Sequence, residues 1–262
     1  MNYLFTLCAR AGSKGFKNKN LKNFCGYPLA YYSLAAVKVF ANRHSDDHIV
    51  VAANTDSNEF AQLFKQQQAF GNVVIIKREA ELAGDDIAKV MVIQDTYKRC
   101  KKEGNFDAII DLDITSPIRS VIDIENAINV FNQNKCDLVF SVCPSRRNPY
   151  FNMVEQDGNG KCKRICDSNF TSRQQAPKVY DLNASVYIYN PQILSSVIDK
   201  TILDFNFEIS VMDDFLVLDI DSEEDYKMMQ YIYKYCLKSN KLLKEVYKMT
   251  QLIDESKIVE NQ

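Results

Sequence analysis

The sequence predicts an α/β protein in which a mostly parallel sheet lies between two layers of helices. Short apolar runs, typical of strands buried on both faces, alternate along the first half of the chain with segments of helical periodicity. Polar loops follow several of these runs. Repeated strand–helix units place helices on both faces of one sheet, and ligands of such sheets bind at the carboxyl ends of the strands.

The individual elements follow from apolar runs and helix signals. A first strand is predicted at 3–9, and a long helical tail begins at Glu223. Ser120 followed by Asp123 is an N-cap signal for the helix that starts there. The other predicted strands are 49–53, 73–76, 108–112, 138–142, 185–189 and 215–218, and the predicted helices are 28–41, 58–70, 86–102 and 121–134.

The alternation of strands and helices is interrupted after residue 143. Residues 144–177 contain a predicted hairpin with its turn at 157–160, and they are rich in arginine and asparagine. No internal repeat or low-complexity linker divides the chain. We therefore interpret 144–177 as an insertion within a single domain that comprises residues 1–262.

Composition argues against several classes of protein. The chain has 32 basic and 34 acidic residues, so a dominant nucleic-acid-binding surface is not expected. No apolar run reaches the ~20 residues that span a bilayer, and no basic segment of a signal peptide precedes the first apolar run. The eight cysteines are dispersed without a C-x-x-C pair. These observations predict a cytoplasmic protein with reduced thiols that binds neither nucleic acid nor membrane.

The loop after the first strand has the composition of a phosphate-binding loop. Gly12 and Gly15 let the backbone approach an anion closely, and successive amides can form an anion-binding nest. Positive charge comes from Arg10, Lys14, Lys17 and Lys19. The loop matches neither the P-loop pattern nor the dinucleotide pattern G-x-G-x-x-G. The alternative is a solvated basic turn.

Asp219 and Asp221 follow the strand predicted at 215–218. Side chains alternate along a strand, so both carboxylates are expected on one side. Such oxygen ligands suit Mg²⁺ or Mn²⁺ that bridges substrate phosphates. Two alternatives stay open: Asp221 caps the helix that begins at Glu223, or Asp111 and Asp113, which share the same spacing, form the metal pair instead.

The chain resembles the CMP-sialic acid synthetases, also called acylneuraminate cytidylyltransferases. Residues 9–20 read Ala-Arg-x-Gly-Ser-Lys-Gly-x-x-x-Lys-Asn, which is similar to the signature loop of that family. Residues 111–119 resemble its Leu-Gln-Pro-Thr-Ser-Pro-Leu-Arg segment, and 77–83 resemble its Arg-Pro-x-Glu-Leu-Ala segment. The resemblance implies a nucleotidyltransferase fold related to GT-A glycosyltransferases. It also implies transfer of CMP from CTP to an acidic nine-carbon sugar, with release of pyrophosphate.

The resemblance assigns roles on the nucleotide side of the site. Asn20 is suited to reading cytosine because its amide both donates and accepts hydrogen bonds. Asp219 and Asp221 correspond to the metal-binding aspartates of the family. The predicted nucleotide-binding residues are Arg10, Gly12, Ser13, Lys14, Lys19, Asn20 and Arg78, and the predicted catalytic residues are Arg10, Lys14, Lys19 and Asp221.

On the sugar side, this chain departs from the family pattern at one informative position. Asp113 replaces the glutamine of sialic-acid enzymes, and this version looks more like the CMP-legionaminic acid synthetase branch. The arginines of 144–177 are fit to pair with a sugar carboxylate, although a solvated loop or dimer contact explains each of them as well. The predicted substrate-binding residues are Asp113, Thr115, Ser116, Arg119, Arg146, Arg147, Arg173, Gln174 and Asn183.

Several alternatives stay open after the sequence is read. Arg119 could be a structural arginine, and Asp113 is a candidate for the proton acceptor. The acid sugar could be N-acetylneuraminic, pseudaminic or KDO acid in place of a legionaminic acid. A GT-A glycosyltransferase that uses Asp111 and Asp113, or a non-catalytic nucleotide-binding protein, are alternatives of a different class. The resemblance also implies a homodimer, with 144–177 contributing to the interface and reaching the neighbouring site.

Overall fold

A computed structural model describes residues 1–12, 15–67, 73–84, 86–195, 201–213 and 219–256. Its strands are β1 (Asn2–Ala9), β2 (Asn23–Phe24), β3 (Tyr27–Pro28), β4 (His48–Thr55), β5 (Val74–Lys77), β6 (Ala108–Leu112), β7 (Leu138–Pro144), β8 (Val154–Gln156), β9 (Cys162–Arg164), β10 (Tyr180–Tyr189) and β11 (Phe207–Val211). Its helices are α1 (Leu29–Arg43), α2 (Asn58–Gln66), α3 (Lys89–Cys100), α4 (Val121–Gln133), α5 (Glu223–Ser239) and α6 (Lys241–Glu255).

Seven strands form the central sheet in the order β11-β7-β10-β6-β1-β4-β5. β1 pairs in parallel with β4 and β6, β4 with β5, and β7 with β11. β10 runs antiparallel to both of its neighbours, β6 and β7. The predicted mostly parallel sheet is confirmed. β11 was not predicted, and the strand predicted at 215–218 lies outside the described residues.

The sheet is covered on both faces. Leu4 and Phe5 are adjacent in β1 and fully buried, yet they belong to two different apolar clusters. One cluster includes apolar residues of α1, α4, α5 and α6, and the other includes residues of α3. Because neighbouring strand residues point to opposite faces, this division shows three layers with the sheet in the middle. None of the described helices is both long and apolar enough to cross a membrane.

Side-chain caps define several helix boundaries. The predicted cap of α4 is confirmed, since the Ser120 amide donates to Asp123 Oδ2 at 2.8 Å. The helical tail is not one helix as predicted but two. Asn240 separates α5 from α6, and its Oδ1 accepts hydrogen bonds from the amides of Leu242 and Leu243, both at 3.0 Å. An asparagine in that position starts a new helix, because it satisfies amides that have no partner within the helix.

The predicted hairpin in 144–177 is confirmed as β8 and β9. Asp157 Oδ1 accepts hydrogen bonds from the amides of Asn159 and Lys161, and Gly160 adopts a φ of 79°. The strand predicted at 185–189 is longer than expected and begins at Tyr180. Its register shifts between Leu182 and Tyr187, where Ala184 has a φ of 50°. This bulge bends β10 next to the end of β6.

Candidate active site

A cleft of about 300 Å³ opens at the carboxyl ends of β1, β5 and β6. Its walls include the last residues of β1, Cys8 and Ala9, and the polar residues that follow the strands. This is the edge of a parallel sheet where ligands bind. The cleft brings together eight of the residues that the sequence analysis selected: Arg10, Lys19, Asn20, Arg78, Asp113, Thr115, Asp219 and Asp221.

The first loop is fixed at both of its ends. Near its start, the Ala11 amide donates to Asp56 Oδ1 at 2.8 Å, and the Asn20 side-chain amide donates to the Arg10 carbonyl at 3.5 Å. Gly15 lies so close to the 219–221 segment that a Cβ atom there would be 2.7 Å from the Asp221 carbonyl oxygen. Glycine is therefore required at 15 by a protein contact. Ser13 and Lys14 lie outside the described residues.

Asp56 and Ser57, which follow β4, have different roles. Ser57 caps α2, since its Oγ accepts from the Phe60 amide at 3.1 Å, while Asp56 holds the first loop through Ala11.

Lys19 neutralises the acidic segment. Its Nζ donates to Asp221 Oδ1 at 2.8 Å and to the Ile220 carbonyl at 2.7 Å. The Ile220 amide in turn donates to the Thr115 carbonyl at 3.0 Å, which anchors the segment to the end of β6. The first loop, the acidic pair and the β6 loop are thus connected through one lysine and one backbone hydrogen bond.

Asp219 and Asp221 place two carboxylates on the wall of the cleft. Burial, followed by the nearby carboxylates of Asp221 and Asp113, raises the pKa of Asp219 above its ordinary value. Asp221 does not cap α5, because Ser222 does so by accepting from the Asp225 amide at 3.1 Å. The described residues contain no cluster of three or more potential ligands. An ion held here would therefore complete its shell with water and phosphate oxygens, as Mg²⁺ commonly does.

The rival pair, Asp111 and Asp113, is already neutralised by a lysine that the sequence analysis missed. Lys89 Nζ lies 2.6 Å from Asp111 Oδ2 and 2.8 Å from Asp113 Oδ2. Burial alone would lower the pKa of Lys89, but the two carboxylates outweigh it and raise this pKa well above its ordinary value. A metal ion at Asp111 and Asp113 would have to displace this ammonium from both carboxylates. In the other pair, Lys19 contacts Asp221, whose side chain is 72% exposed.

Asp113 is unsuited to accepting a proton. Burial opposes its ionisation, but Lys89 and the hydrogen bonds from Thr115 outweigh this effect and lower the pKa of Asp113 to about 2. A carboxylate with so low a pKa is a weak base near neutral pH. Asp113 and Thr115 line the cleft as predicted, whereas proton acceptance by Asp113 has no support in the structure.

Arg78 lines the cleft from its β4–β5 side. Its Nε donates to Asn54 Oδ1 at 3.0 Å and its Nη2 donates to the Asn54 carbonyl at 2.9 Å. Asn54 is held by its own donation to Thr96 Oγ1 at 2.9 Å. Burial lowers the pKa of Arg78, and this orientation by Asn54 presents a fixed guanidinium edge to the cleft.

Three predicted sugar contacts are instead buried in the protein. Ser116 Oγ donates to the Asn183 carbonyl at 3.2 Å. Asn183 is 1% exposed, and its Oδ1 accepts from Ser141 Oγ at 2.6 Å. Arg119 is also 1% exposed and donates to Ser185 Oγ at 3.0 Å and to Ser33 Oγ at 2.7 Å. None of these three side chains lines the cleft, and their donors and acceptors serve the β6–β10 junction.

Replacing Arg119 by methionine is expected to destabilise the protein by about 3 kcal/mol, because it leaves buried acceptors on Ser33 and Ser185 unpaired. Urea unfolding measures this change. Arg147→Met, at an exposed arginine, is the matched control and is expected to change stability by less than about 0.5 kcal/mol. If Arg119→Met kept wild-type stability but weakened substrate binding, the result would support the prediction that Arg119 contacts the substrate.

The remaining predicted sugar-side residues are not brought to the cleft within one chain. Arg173 and Gln174 line a separate cavity of about 490 Å³, and Arg173 Nη2 donates to the Ser145 carbonyl at 2.5 Å. Arg146 and Arg147 are exposed and line neither cavity. The geometry of a single chain therefore separates these four residues from Asp113 and Thr115.

Sequence comparison identifies the family to which this site belongs. The family model described as cytidylyltransferase matches residues 5–258, which is nearly the whole chain. The chain belongs to the cytidylyltransferase family. It is accordingly a nucleotidyltransferase.

Two relatives of this cytidylyltransferase are similar over almost their full length. Post-translational flagellin modification protein B of Campylobacter coli is 39% identical over 233 residues, which cover 88% of this chain and 94% of that protein. CMP-N,N'-diacetyllegionaminic acid synthase of Campylobacter jejuni is 39% identical over 231 residues, which cover 87% and 94% of the two proteins. The resemblance to the legionaminic branch, which the sequence suggested, is confirmed.

Among solved structures, a CMP:2-keto-3-deoxy-manno-octonic acid synthetase complexed with CTP has a TM-score of 0.62 at 13% identity. The match covers 90% of this cytidylyltransferase and 99% of that chain. The 4-diphosphocytidyl-2C-methyl-D-erythritol synthase of Anaerococcus prevotii has a TM-score of 0.58 at 12% identity, with coverage of 89% and 99%. At such identities the likeness shows a shared nucleotidyltransferase fold.

Proposed function

We propose that this cytidylyltransferase transfers CMP from CTP to the anomeric hydroxyl of a nonulosonic acid and releases pyrophosphate. The observation that carries the proposal is the meeting of the first loop, Lys19, Arg78 and the Asp219–Asp221 pair in one cleft at the strand ends. A loop with glycine and cationic residues suits a triphosphate, and two carboxylates suit the cation that accompanies it. The name of the Campylobacter jejuni relative, CMP-N,N'-diacetyllegionaminic acid synthase, supports the same reaction class.

On the nucleotide side, the first loop holds the triphosphate. Arg10 and Lys19 contribute charge from the cleft wall, and Gly12, Ser13 and Lys14 continue the same loop. Asn20 and Arg78 lie toward the base. Arg78 uses its Nε and one Nη2 hydrogen on Asn54, which leaves guanidinium hydrogens for the nucleotide.

Asp219 and Asp221 would hold Mg²⁺ or Mn²⁺. When bound, such an ion supplies charge neutralisation at the phosphates of the substrate. Lys19 contacts Asp221 directly, so it links the triphosphate loop to the acidic pair. Catalysis in this proposal rests on positioning and on charge, with Arg10, Lys14, Lys19 and Asp221 acting on the phosphates.

For the second substrate we infer a legionaminic-type acid. Asp113 and Thr115 line the cleft. In the sialic-acid enzymes that this chain resembles, the position of Asp113 is occupied by glutamine. The similarity to CMP-N,N'-diacetyllegionaminic acid synthase supports this choice over the sialic, pseudaminic and KDO acids. We also propose a cytoplasmic homodimer, in which Arg146, Arg147, Arg173 and Gln174 approach the cleft of the partner.

The experiment is Mg²⁺-dependent release of pyrophosphate from CTP in the presence of legionaminic, pseudaminic, N-acetylneuraminic or KDO acid. We expect release to be strongest with legionaminic acid and to stop when the metal is chelated. Strongest release with another acid would contradict the substrate assignment but keep the reaction. Absence of release with every acid would overturn the proposal, and hydrolysis of a UDP-sugar would then indicate a GT-A glycosyltransferase.

A further inference from the structure

Two fully buried residues, Asn54 near the end of β4 and Thr96 in α3, stand behind Arg78 without lining the cleft. Asn54 Oδ1 accepts from Arg78 Nε at 3.0 Å, and Asn54 Nδ2 donates to Thr96 Oγ1 at 2.9 Å. Arg78 itself lines the cleft. Asn54 and Thr96 can therefore influence a ligand in the cleft only through the residues that they hold in place.

The hydrogens of this network allow one orientation of the Asn54 side-chain amide. An arginine only donates hydrogen bonds, so the atom that faces Arg78 Nε has to be the amide oxygen. Thr96 has a single hydroxyl hydrogen and donates it to the Val92 carbonyl at 2.7 Å, so its oxygen accepts from Asn54. Both neighbours of the amide thus require the same orientation.

The Cys8 thiol also lies beside Thr96, but it does not compete for the hydroxyl hydrogen. Burial raises the pKa of Cys8 to about 12. The thiol is therefore protonated near neutral pH and needs no hydrogen from Thr96. The Thr96 hydroxyl hydrogen stays with Val92, and the orientation of Asn54 is preserved.

A chain of ion pairs holds the second acceptor of Asn54 Nδ2. This acceptor is Asp95 Oδ2, at 3.1 Å, and Asp95 Oδ1 accepts from Arg99 Nε at 2.9 Å. Arg99 Nη2 in turn lies 2.6 Å from Glu79 Oε1, and Glu79 follows Arg78 in the sequence. Because exposed ion pairs contribute little each, the buried hydroxyl is expected to be the stronger of the two constraints on the amide.

We propose that Thr96 is a positioning residue for nucleotide binding. By accepting from the Asn54 amide, it keeps Asn54 Oδ1 on the guanidinium of Arg78. Arg78 then presents its remaining hydrogens to CTP in a fixed geometry, which reduces the conformational entropy lost on binding. This inference rests on the function proposed above, because it takes CTP as the ligand of Arg78.

The informative variant is Thr96→Val, which replaces the hydroxyl by a methyl group. Isothermal titration calorimetry with CTP and Mg²⁺ measures the effect. We expect the Kd for CTP to rise roughly threefold to tenfold, which corresponds to the net contribution of one hydrogen bond. Thr96→Ser keeps the hydroxyl and should retain most of the affinity. Circular dichroism and urea unfolding establish that each variant is folded.

Thr250 in α6 gives a matched control on the opposite face of the sheet. It is also fully buried, and its Oγ1 donates to the Val246 carbonyl at 2.9 Å, four residues earlier in the helix, as Thr96 donates to Val92. Thr250→Val therefore removes the same kind of hydrogen bond within a helix. It should lower stability comparably but leave the Kd for CTP unchanged. An equal rise of Kd in both threonine variants would reduce the effect of Thr96 to general destabilisation and contradict the inference.

A double-mutant cycle tests whether the effect passes through Arg78. Arg78→Met removes the guanidinium, so the addition of Thr96→Val to it should raise the Kd for CTP no further. If Thr96→Val raised Kd by the same factor with and without Arg78, Thr96 would not act through Arg78. That result, or an unchanged Kd in the single variant Thr96→Val, would overturn the inference.

The wild-type protein separates this inference from the proposed function. If it bound no CTP, both would be wrong. If it bound CTP but released no pyrophosphate with any acid sugar, the proposed reaction would be wrong, and the CTP titrations would still decide the role of Thr96.

Discussion

Asp221→Asn is expected to lower kcat about a hundredfold to a thousandfold and to raise the Mg²⁺ concentration needed for half-maximal activity. The substitution removes a charged oxygen from the acidic pair and weakens the contact with Lys19, while the exposed position of the side chain keeps the fold intact. Initial rates of pyrophosphate release, measured across a Mg²⁺ titration, give both quantities.

The control for this substitution is Glu224→Gln, which neutralises an exposed carboxylate in the first turn of α5. It should leave both kcat and the Mg²⁺ requirement unchanged. Asp113→Asn separates the two candidate metal pairs. If Asp113→Asn raised the Mg²⁺ requirement and Asp221→Asn did not, the metal pair would be Asp111 and Asp113, and Lys89 would have to move when the metal binds.

The second large effect is expected for Gly15→Ala. A Cβ atom at this position would lie 2.7 Å from the Asp221 carbonyl oxygen, so the first loop and the acidic segment must separate. Such overpacking costs about 1–3 kcal/mol. If the strain falls on the assembled site, kcat/KM for CTP decreases about tenfold to a hundredfold. Steady-state kinetics with CTP measure the decrease, and urea unfolding shows whether the global fold is retained.

Two other glycines make this result interpretable. A Cβ atom at Gly158, in the turn between β8 and β9, meets no protein atom within 4 Å, so Gly158→Ala should behave as the wild type. A Cβ atom at Gly12 also meets no protein atom within 4 Å. If Gly12→Ala lost affinity for CTP, the cause would therefore be a clash between the added methyl group and the bound nucleotide. Wild-type kinetics for Gly15→Ala would mean that the contact with Asp221 is not maintained during turnover.

The buried strands could be predicted because their apolar runs are continuous. β6 was predicted with its observed ends, and β1 differs from its prediction by one residue. β11 escaped prediction because it lies at the edge of the sheet, where Phe207 and Val211 remain partly exposed and polar residues alternate with apolar ones. The antiparallel direction of β10 could not be predicted either, because a hydrophobic run indicates a buried strand but not whether it pairs in parallel or antiparallel.

Local motifs identified the part of the site that one strand and its loop can build. The first loop and Asp219–Asp221 are of this kind, and the structure places Arg10, Lys19 and Asn20 of the loop in one cleft with the two aspartates. Lys89 and the contact of Asp56 with the first loop were missed because they depend on partners distant in sequence. Asp111 and Asp113 gave a partial signal, since a buried carboxylate requires a counter-ion, but the sequence did not say which cation supplies it.

Arg119 and Asn183 were predicted to bind the sugar, but the structure buries both of them. Their residue types and their neighbours in sequence suit substrate recognition, yet both side chains turn inward. Arg119 joins the loop after β6 to Ser185 of β10 and Ser33 of α1. Burial lowers the pKa of Arg119 to about 10, which still leaves it charged near neutral pH. The sequence alone does not distinguish an arginine that binds a ligand from one that supports the loop around it.

The division of the helical tail at Asn240 has a consequence for the synthesis of the protein. α6 folds back over α1, the first helix of the chain, and Leu243, Val246 and Ile253 become buried against the same apolar cluster as Leu34. A nascent chain that ends before α6 exposes that surface of α1 however completely the strands have formed. Folding during translation therefore stays incomplete until α6 has left the ribosome, and the apolar face of α1 is the surface on which a chaperone would act in that interval.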